Sequence, residues 1–195
     1  MSRAQLLLLA LLFEGGLGLI ACGLGWALGD PLWRRMAADR EALLWGVLAT
    51  VPMAGSLLLL GRLPLRTFRM LARQVETLVR DVFANSGPVD WAIISLLAGV
   101  GEELLFRGFI QDRIARGFGT VPALAVASLM FGFAHPISRT YVLMASIAGC
   151  YLGCLYLVTG NLVVPIVTHA TYDFLALAYL LRASAQAPPG QLKTW

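Results

Sequence analysis

The sequence predicts an all-α, polytopic membrane helix bundle with about six transmembrane helices and one amphipathic interfacial helix. Hydrophobic side chains make up 58% of the chain and charged ones 13%, with a mean hydropathy of +0.76, a composition outside that of soluble domains. Apolar runs at 4–28, 42–61, 91–107, 121–135, 141–160 and 162–181 approach the roughly 20 residues that a helix needs to cross a bilayer. Most ionisable side chains inside these runs gather in the third, fourth and sixth.

Backbone polar groups must be satisfied internally in lipid, and these runs are too long and too uniformly apolar for barrel strands, so all read as helices. The third and fourth are short or interrupted by charge, and on hydropathy alone each also fits a buried or re-entrant segment. In the first, Arg3 ahead of an apolar stretch is similar to a signal peptide, and Leu19-Ile20-Ala21-Cys22 to a lipoprotein cleavage box. Glu14 interrupts that run and apolar residues continue to Leu28, which favours a retained helix. Glu14, beside Gly15 and Gly16, reads as a packing feature whose partner the sequence does not identify. Cys22, Cys150 and Cys154 lie inside spans with no CxxC spacing and read as small packing residues.

The long connection at 63–85 repeats Phe68, Leu71, Val75, Leu78, Val79 and Val82 at helical spacing among Arg66, Arg69, Arg73 and Arg80. This is the pattern of a basic amphipathic helix lying on the headgroups. Together with a pI near 9.3, it names anionic membrane lipid as a partner and gives no sign of nucleic acid. With six spans, Arg3, Arg62, the arginines of this connection, Arg139, Arg182 and Lys193 fall on one side, and Arg34, Arg35, Arg40, Arg113 and Arg116 on the other. Nine against five basic residues favours both termini in the cytoplasm. Ala145, Gly149 and Gly153 recur four apart, which lets a neighbouring helix approach closely.

Ionisable groups are expensive in hydrocarbon, so their concentration points to use. The third helix, with Asp90 as its expected N-cap, carries Glu102, Glu103 and Arg107. The acid precedes the base at i and i+4 in Glu103–Arg107, so that pair neutralises itself in place. Glu102 points about 100° away and is free to face a pocket, where poor solvation makes a carboxylate a stronger base. The fourth helix brings His135 to its last turn. The sixth places His169 and Asp173 one turn apart, so that the carboxylate orients the imidazole and the other ring nitrogen serves a developing oxyanion. A lone buried ion pair or helix-end histidine is more often structural, but these groups gathered in three apolar helices describe hydrolysis.

Glu102-Glu103-Leu-Leu-Phe-Arg107 resembles the EExxxR motif of the CPBP intramembrane proteases, which include type II CAAX prenyl endopeptidases and Abi-like bacteriocin-processing relatives. Phe131-Gly-Phe-Ala-His135 is similar to the family's FxxxH motif, and His169-Ala-Thr-Tyr-Asp173 to its HxxxN motif in an Asp variant. The resemblance implies an endopeptidase acting on a membrane-associated peptide or protein. Glu102 would then be the base, working with His135 on water, Glu103 and Arg107 would hold the first motif, and His169 and Asp173 would stabilise the oxyanion. An ionised Asp only accepts hydrogen bonds, where Asn also donates, so Asp173 is expected to orient His169. The expected organisation is an N-terminal membrane region over 1–89, a protease core over 90–182 and a disordered tail over 183–195. A multi-pass protein of a bacterial plasma membrane follows from the same resemblance.

Two histidines and several carboxylates make zinc possible. HExxH is absent, however, and the ligands would come from three helices, which favours metal-free water. The alternatives are a non-catalytic membrane binding or bacteriocin-immunity protein, and a proton-coupled transporter, against which stands the lack of an inverted repeat.

Overall fold

The computed structural model describes residues 2–62 and 64–185, and all regular elements among them are helical. Helix α1 (Arg3–Ala27) starts at Ser2, whose hydroxyl accepts the Gln5 amide at 3.2 Å while Gln5 accepts the Ser2 amide at 2.9 Å. This reciprocal cap satisfies two donors that a helix start would otherwise leave open. At Leu11–Gly15 the helix widens into a π turn. Helices α2 (Arg40–Arg62), α3 (Arg66–Phe83) and α4 (Pro88–Glu103) follow. A π-helical segment, Leu104–Gln111, leads from α4 into the short α5 (Asp112–Phe118). The chain then folds back through α6 (Thr120–Phe133), α7 (Arg139–Thr159) and α8 (Val163–Ala185).

The bundle is all-α, but the number of span-length apolar helices is smaller than expected. Four of the described helices are long and apolar enough to cross a membrane, over Arg3–Ala27, Arg40–Leu59, Arg139–Thr159 and Val163–Arg182. Of the six expected runs, the third is broken by its charged motif, and α-helical geometry ends at Glu103 after 16 residues. The fourth forms only the 14-residue α6. The expected tail begins inside α8, which continues to Ala185, and residues 186–195 lie outside the described residues.

Small residues set how closely the helices approach. A side chain at Gly46 of α2 would place its Cβ 2.6 Å from Val167 Cβ on α8, so only glycine fits there. The same contact carries polar ties: the Thr168 hydroxyl donates to the Gly46 carbonyl at 3.0 Å, and the Tyr151 hydroxyl of α7 donates to the Ala49 carbonyl at 2.8 Å. Between α6 and α7, a Cβ at Gly149 would lie 3.3 Å from Phe131 and Ser128. In a bilayer, where burial of apolar surface does not drive helices together, such close packing and hydrogen bonds supply the adhesion.

The loop from α1 to α2 is clamped to the π segment by charge. Asp30 pairs with both Arg35 and Arg116, while Arg35 reaches Asp112 at 3.2 Å and donates to the Gly108 carbonyl at 2.9 Å. The hydrogen bond from Arg35 holds the Asp30 carboxyl below its ordinary value. Helix α3 divides sharply. Phe68, Leu71, Val75, Val79 and Phe83 line a cavity of about 740 Å³ shared with α2, α4, α7 and α8, whereas Arg66, Arg69, Arg73 and Arg80 are exposed.

In detergent, Gly46→Ala lowers the melting temperature through overpacking worth about 1–3 kcal/mol. Gly55→Ala on the same helix, where a Cβ meets nothing within 4 Å, leaves it unchanged or raised. Because the Asp30 carboxyl is depressed in the folded state, its contribution is present above about pH 4 and disappears as pH falls through the lowered value. Asp30→Asn should therefore flatten the acid limb of a plot of melting temperature against pH.

Candidate active site

Helix α4 begins at Pro88, whose missing N–H makes it a natural first residue. Asp90 lies one turn in rather than at the cap, and its carboxylate accepts the Gly87 amide at 2.9 Å and pairs with Arg3 at 2.9 Å. From this anchored end α4 carries Glu102 and Glu103 into the bundle, against α1 at a point without room for a side chain. A Cβ at Gly101 would collide with the backbone carbonyl of Glu14.

Glu103 is fully buried, and its Oε1 accepts from two cations or potential cations: Arg107 Nη1 at 2.7 Å and His169 Nδ1 at 2.8 Å. The i,i+4 pairing expected for Glu103 and Arg107 is present, and His169 joins it from α8. Arg107 also donates through Nη2 to the Gly149 carbonyl of α7 at 2.8 Å, and its guanidinium lies 4.4 Å above the Phe131 ring. A cation so placed is held by the carboxylate, the carbonyl and the ring face.

On the other side of this pair Nε2 of His169 faces Asp173 at 3.4 Å, so both ring nitrogens meet carboxylates. Glu102 is buried, and its Oε2 lies 3.7 Å from His135 Nε2. His135 sits just beyond the end of α6 rather than in its last turn. Its Nδ1 is 2.8 Å from the Phe131 carbonyl, and since a carbonyl only accepts, that nitrogen carries the hydrogen and Nε2 keeps a lone pair. Phe131 stands between the two histidines, with ring centroids 4.8 Å from His135 and 5.8 Å from His169. All six residues singled out from the sequence thus belong to one cluster, joined through Phe131.

Two residues near the cluster were not assigned to it from the sequence. Glu14, on the π turn of α1, interacts electrostatically with His169, Asp173 and Glu102, and its Oε2 is shielded from solvent with no hydrogen-bond partner among the described residues. The signal was available, because Glu14 is the one acid in an otherwise apolar run. Tyr141, at the start of α7, packs its ring 6.2 Å from that of His135. Nothing in the sequence distinguished it from an ordinary interfacial aromatic.

A zinc site needs three or four donors converging on one point. Among the described residues no group of three His, Cys, Asp or Glu side chains is arranged to hold a metal, and His169 spends both nitrogens on carboxylates. The side chains as arranged do not fit a zinc ion. Removing the buried guanidinium by Arg107→Met leaves Glu103 short of its main counter-charge, at a cost of about 3–5 kcal/mol. The expected outcome is loss of the folded protein or a large drop in melting temperature. Arg107→Lys, which cannot reach both Glu103 and the Gly149 carbonyl in the same planar geometry, gives an intermediate drop.

Residues 84–175 match the family model described as type II CAAX prenyl endopeptidase Rce1-like. The match covers just under half of the chain and takes in Glu102, Glu103, Arg107, His135, His169 and Asp173. No curated protein and no solved structure gives a significant match. Residues 84–175 are therefore similar to a CAAX-protease-family, Rce1-like domain, and they lie in a multi-pass membrane bundle.

Proposed function

We propose that the chain is an intramembrane endopeptidase that hydrolyses a peptide bond in a membrane-associated peptide or protein, with water activated by Glu102 and His135. The observation that carries this reading is the 3.7 Å separation of Glu102 Oε2 from His135 Nε2. It is too long for a direct hydrogen bond and suits a water held by both groups. Glu102 takes the water proton as the oxygen adds to the carbonyl carbon, and later passes it to the leaving nitrogen. His169, held between Glu103 and Asp173, contributes to stabilising the negative charge on the carbonyl oxygen through an Nε2 hydrogen that it shares with Asp173. Glu103 and Arg107 hold the site in shape, in the roles that the family resemblance implies.

The apolar cavity of about 740 Å³ lies within the usual range for ligand pockets and has Asp173 in its wall. A hydrophobic segment of the substrate, or a lipid chain attached to it, fits such a lining. The exposed arginines of α3 would rest on anionic headgroups, with both termini in the cytoplasm of a bacterial plasma membrane. Residues 1–89 would then act as a membrane-anchoring region for a protease core over 90–182.

Cleavage of a panel of peptides embedded in bilayers, by wild type and Glu102→Gln with and without a zinc chelator, tests the reading. The expected result is a loss of at least about 100-fold in Glu102→Gln and no effect of the chelator. Chelator-sensitive cleavage would make the histidines metal ligands, and undiminished cleavage by Glu102→Gln would remove Glu102 as the base. No cleavage by the wild type would favour the binding or immunity role.

A further inference from the structure

Resting on the peptidase reading, we propose that the Tyr141 hydroxyl donates a hydrogen bond directly to the oxyanion formed at the scissile carbonyl. The need for such a donor follows from an inventory of the cluster. An oxyanion is stabilised by N–H or O–H groups aimed at the place where charge develops, and ionised carboxylates can only accept. Arg107 is 1% exposed and is turned toward Glu103 and the Gly149 carbonyl. His135 uses its N–H on the Phe131 carbonyl. His169 meets Glu103 at 2.8 Å and Asp173 at 3.4 Å, so any hydrogen it offers an oxyanion is shared with a carboxylate. An amide at 173 would have supplied a donor, and Asp173 does not.

Tyr141 is placed to fill that role. Ser138 caps α7 by accepting the Tyr141 amide at 3.2 Å, which fixes the backbone. The ring packs on the buried cluster of Phe106, Phe131 and Ala145. The hydroxyl has no hydrogen-bond partner among the described residues, and Tyr141 lines the cavity together with Asp173. It interacts electrostatically with both Asp173 and Glu102. Tyr172, also in the cavity wall, interacts with Asp173 and Tyr141 and is the comparison residue.

As water adds to the carbonyl carbon and its proton passes to Glu102, the carbonyl π electrons move onto oxygen. Tyr141 holds that charge by a hydrogen bond and keeps its own proton. When the carbonyl re-forms, the C–N bond breaks and the proton on Glu102 goes to the leaving nitrogen, so Tyr141 ends as it began.

The test compares wild type, Tyr141→Phe, Tyr172→Phe and Glu102→Gln on the bilayer-embedded peptide that the wild type cleaves fastest. Tyr141→Phe should lower kcat by about 100-fold with KM and melting temperature unchanged, a split that loss of mere packing would not produce. Adding Asp173→Asn in the Tyr141→Phe background returns an amide donor and should recover about tenfold. A Tyr141→Phe enzyme with wild-type kcat overturns the proposal, as does a loss seen in Tyr172→Phe instead. If Glu102→Gln is inactive while Tyr141→Phe is normal, only the role of Tyr141 falls. If the wild type cleaves no peptide, or Glu102→Gln cleaves normally, the peptidase reading falls and this role with it.

Discussion

A carboxylate sealed from water needs donors, and Glu103 obtains two of them on one oxygen, while its Oε2 has none among the described residues. Its Oε1 receives Arg107 at 2.7 Å and His169 at 2.8 Å, which joins the π segment to α8. Arg107 then reaches the α7 backbone at Gly149 and covers the Phe131 ring of α6. Burying these charges is unfavourable unless every partner is in place, so the arrangement tolerates little displacement of any helix. Its contribution is positional more than stabilising. Glu102 and His135 acquire their mutual geometry because the elements that carry them are locked to this ion pair.

The π geometry is the local counterpart of that lock. An α-helix would return each side chain every 3.6 residues, whereas the widened turn at Leu104–Gln111 changes the direction in which Arg107 and the residues after it project. Widened turns leave carbonyls imperfectly paired, and Arg35 supplies a donor to one of them at Gly108. The second π turn, at Leu11–Gly15, presses its backbone onto Gly101, one residue before Glu102. Both irregularities flank the acidic pair, in keeping with the frequent occurrence of such turns at functional sites.

Much of the site was legible because its motifs obey helical spacing. Glu103 and Arg107, and likewise His169 and Asp173, are one turn apart, and that periodicity survives folding. The partnership of His169 with Glu103 was not legible, since it joins residues 66 positions apart and depends on how α4 and α8 cross. That crossing is set by Gly99, where a Cβ would lie 2.9 Å from Ala170. The number of spans was overread for a related reason: hydropathy registers apolar length, and the third and fourth runs spend part of theirs on charge and on turns. Glu14 was set aside because one acid in one helix carries no partner information until α1 is placed against α4.

The division of polarity around the cavity shows how hydrolysis and a lipid setting coexist. The wall supplied by α3 is apolar apart from Glu76, and the arginines of that helix face outward. The cluster around Glu103 meets the same space through Asp173, with Tyr141 beside it. On the peptidase reading, a hydrophobic segment lies along the apolar residues of α3 while the bond to be cut is brought toward Asp173 and the cluster behind it. Ionised groups lining the whole cavity would repel such a segment and would each need a counter-charge in hydrocarbon. Gathering Glu103, Arg107 and His169 behind Phe131 lets their mutual hydrogen bonds offset part of the desolvation cost.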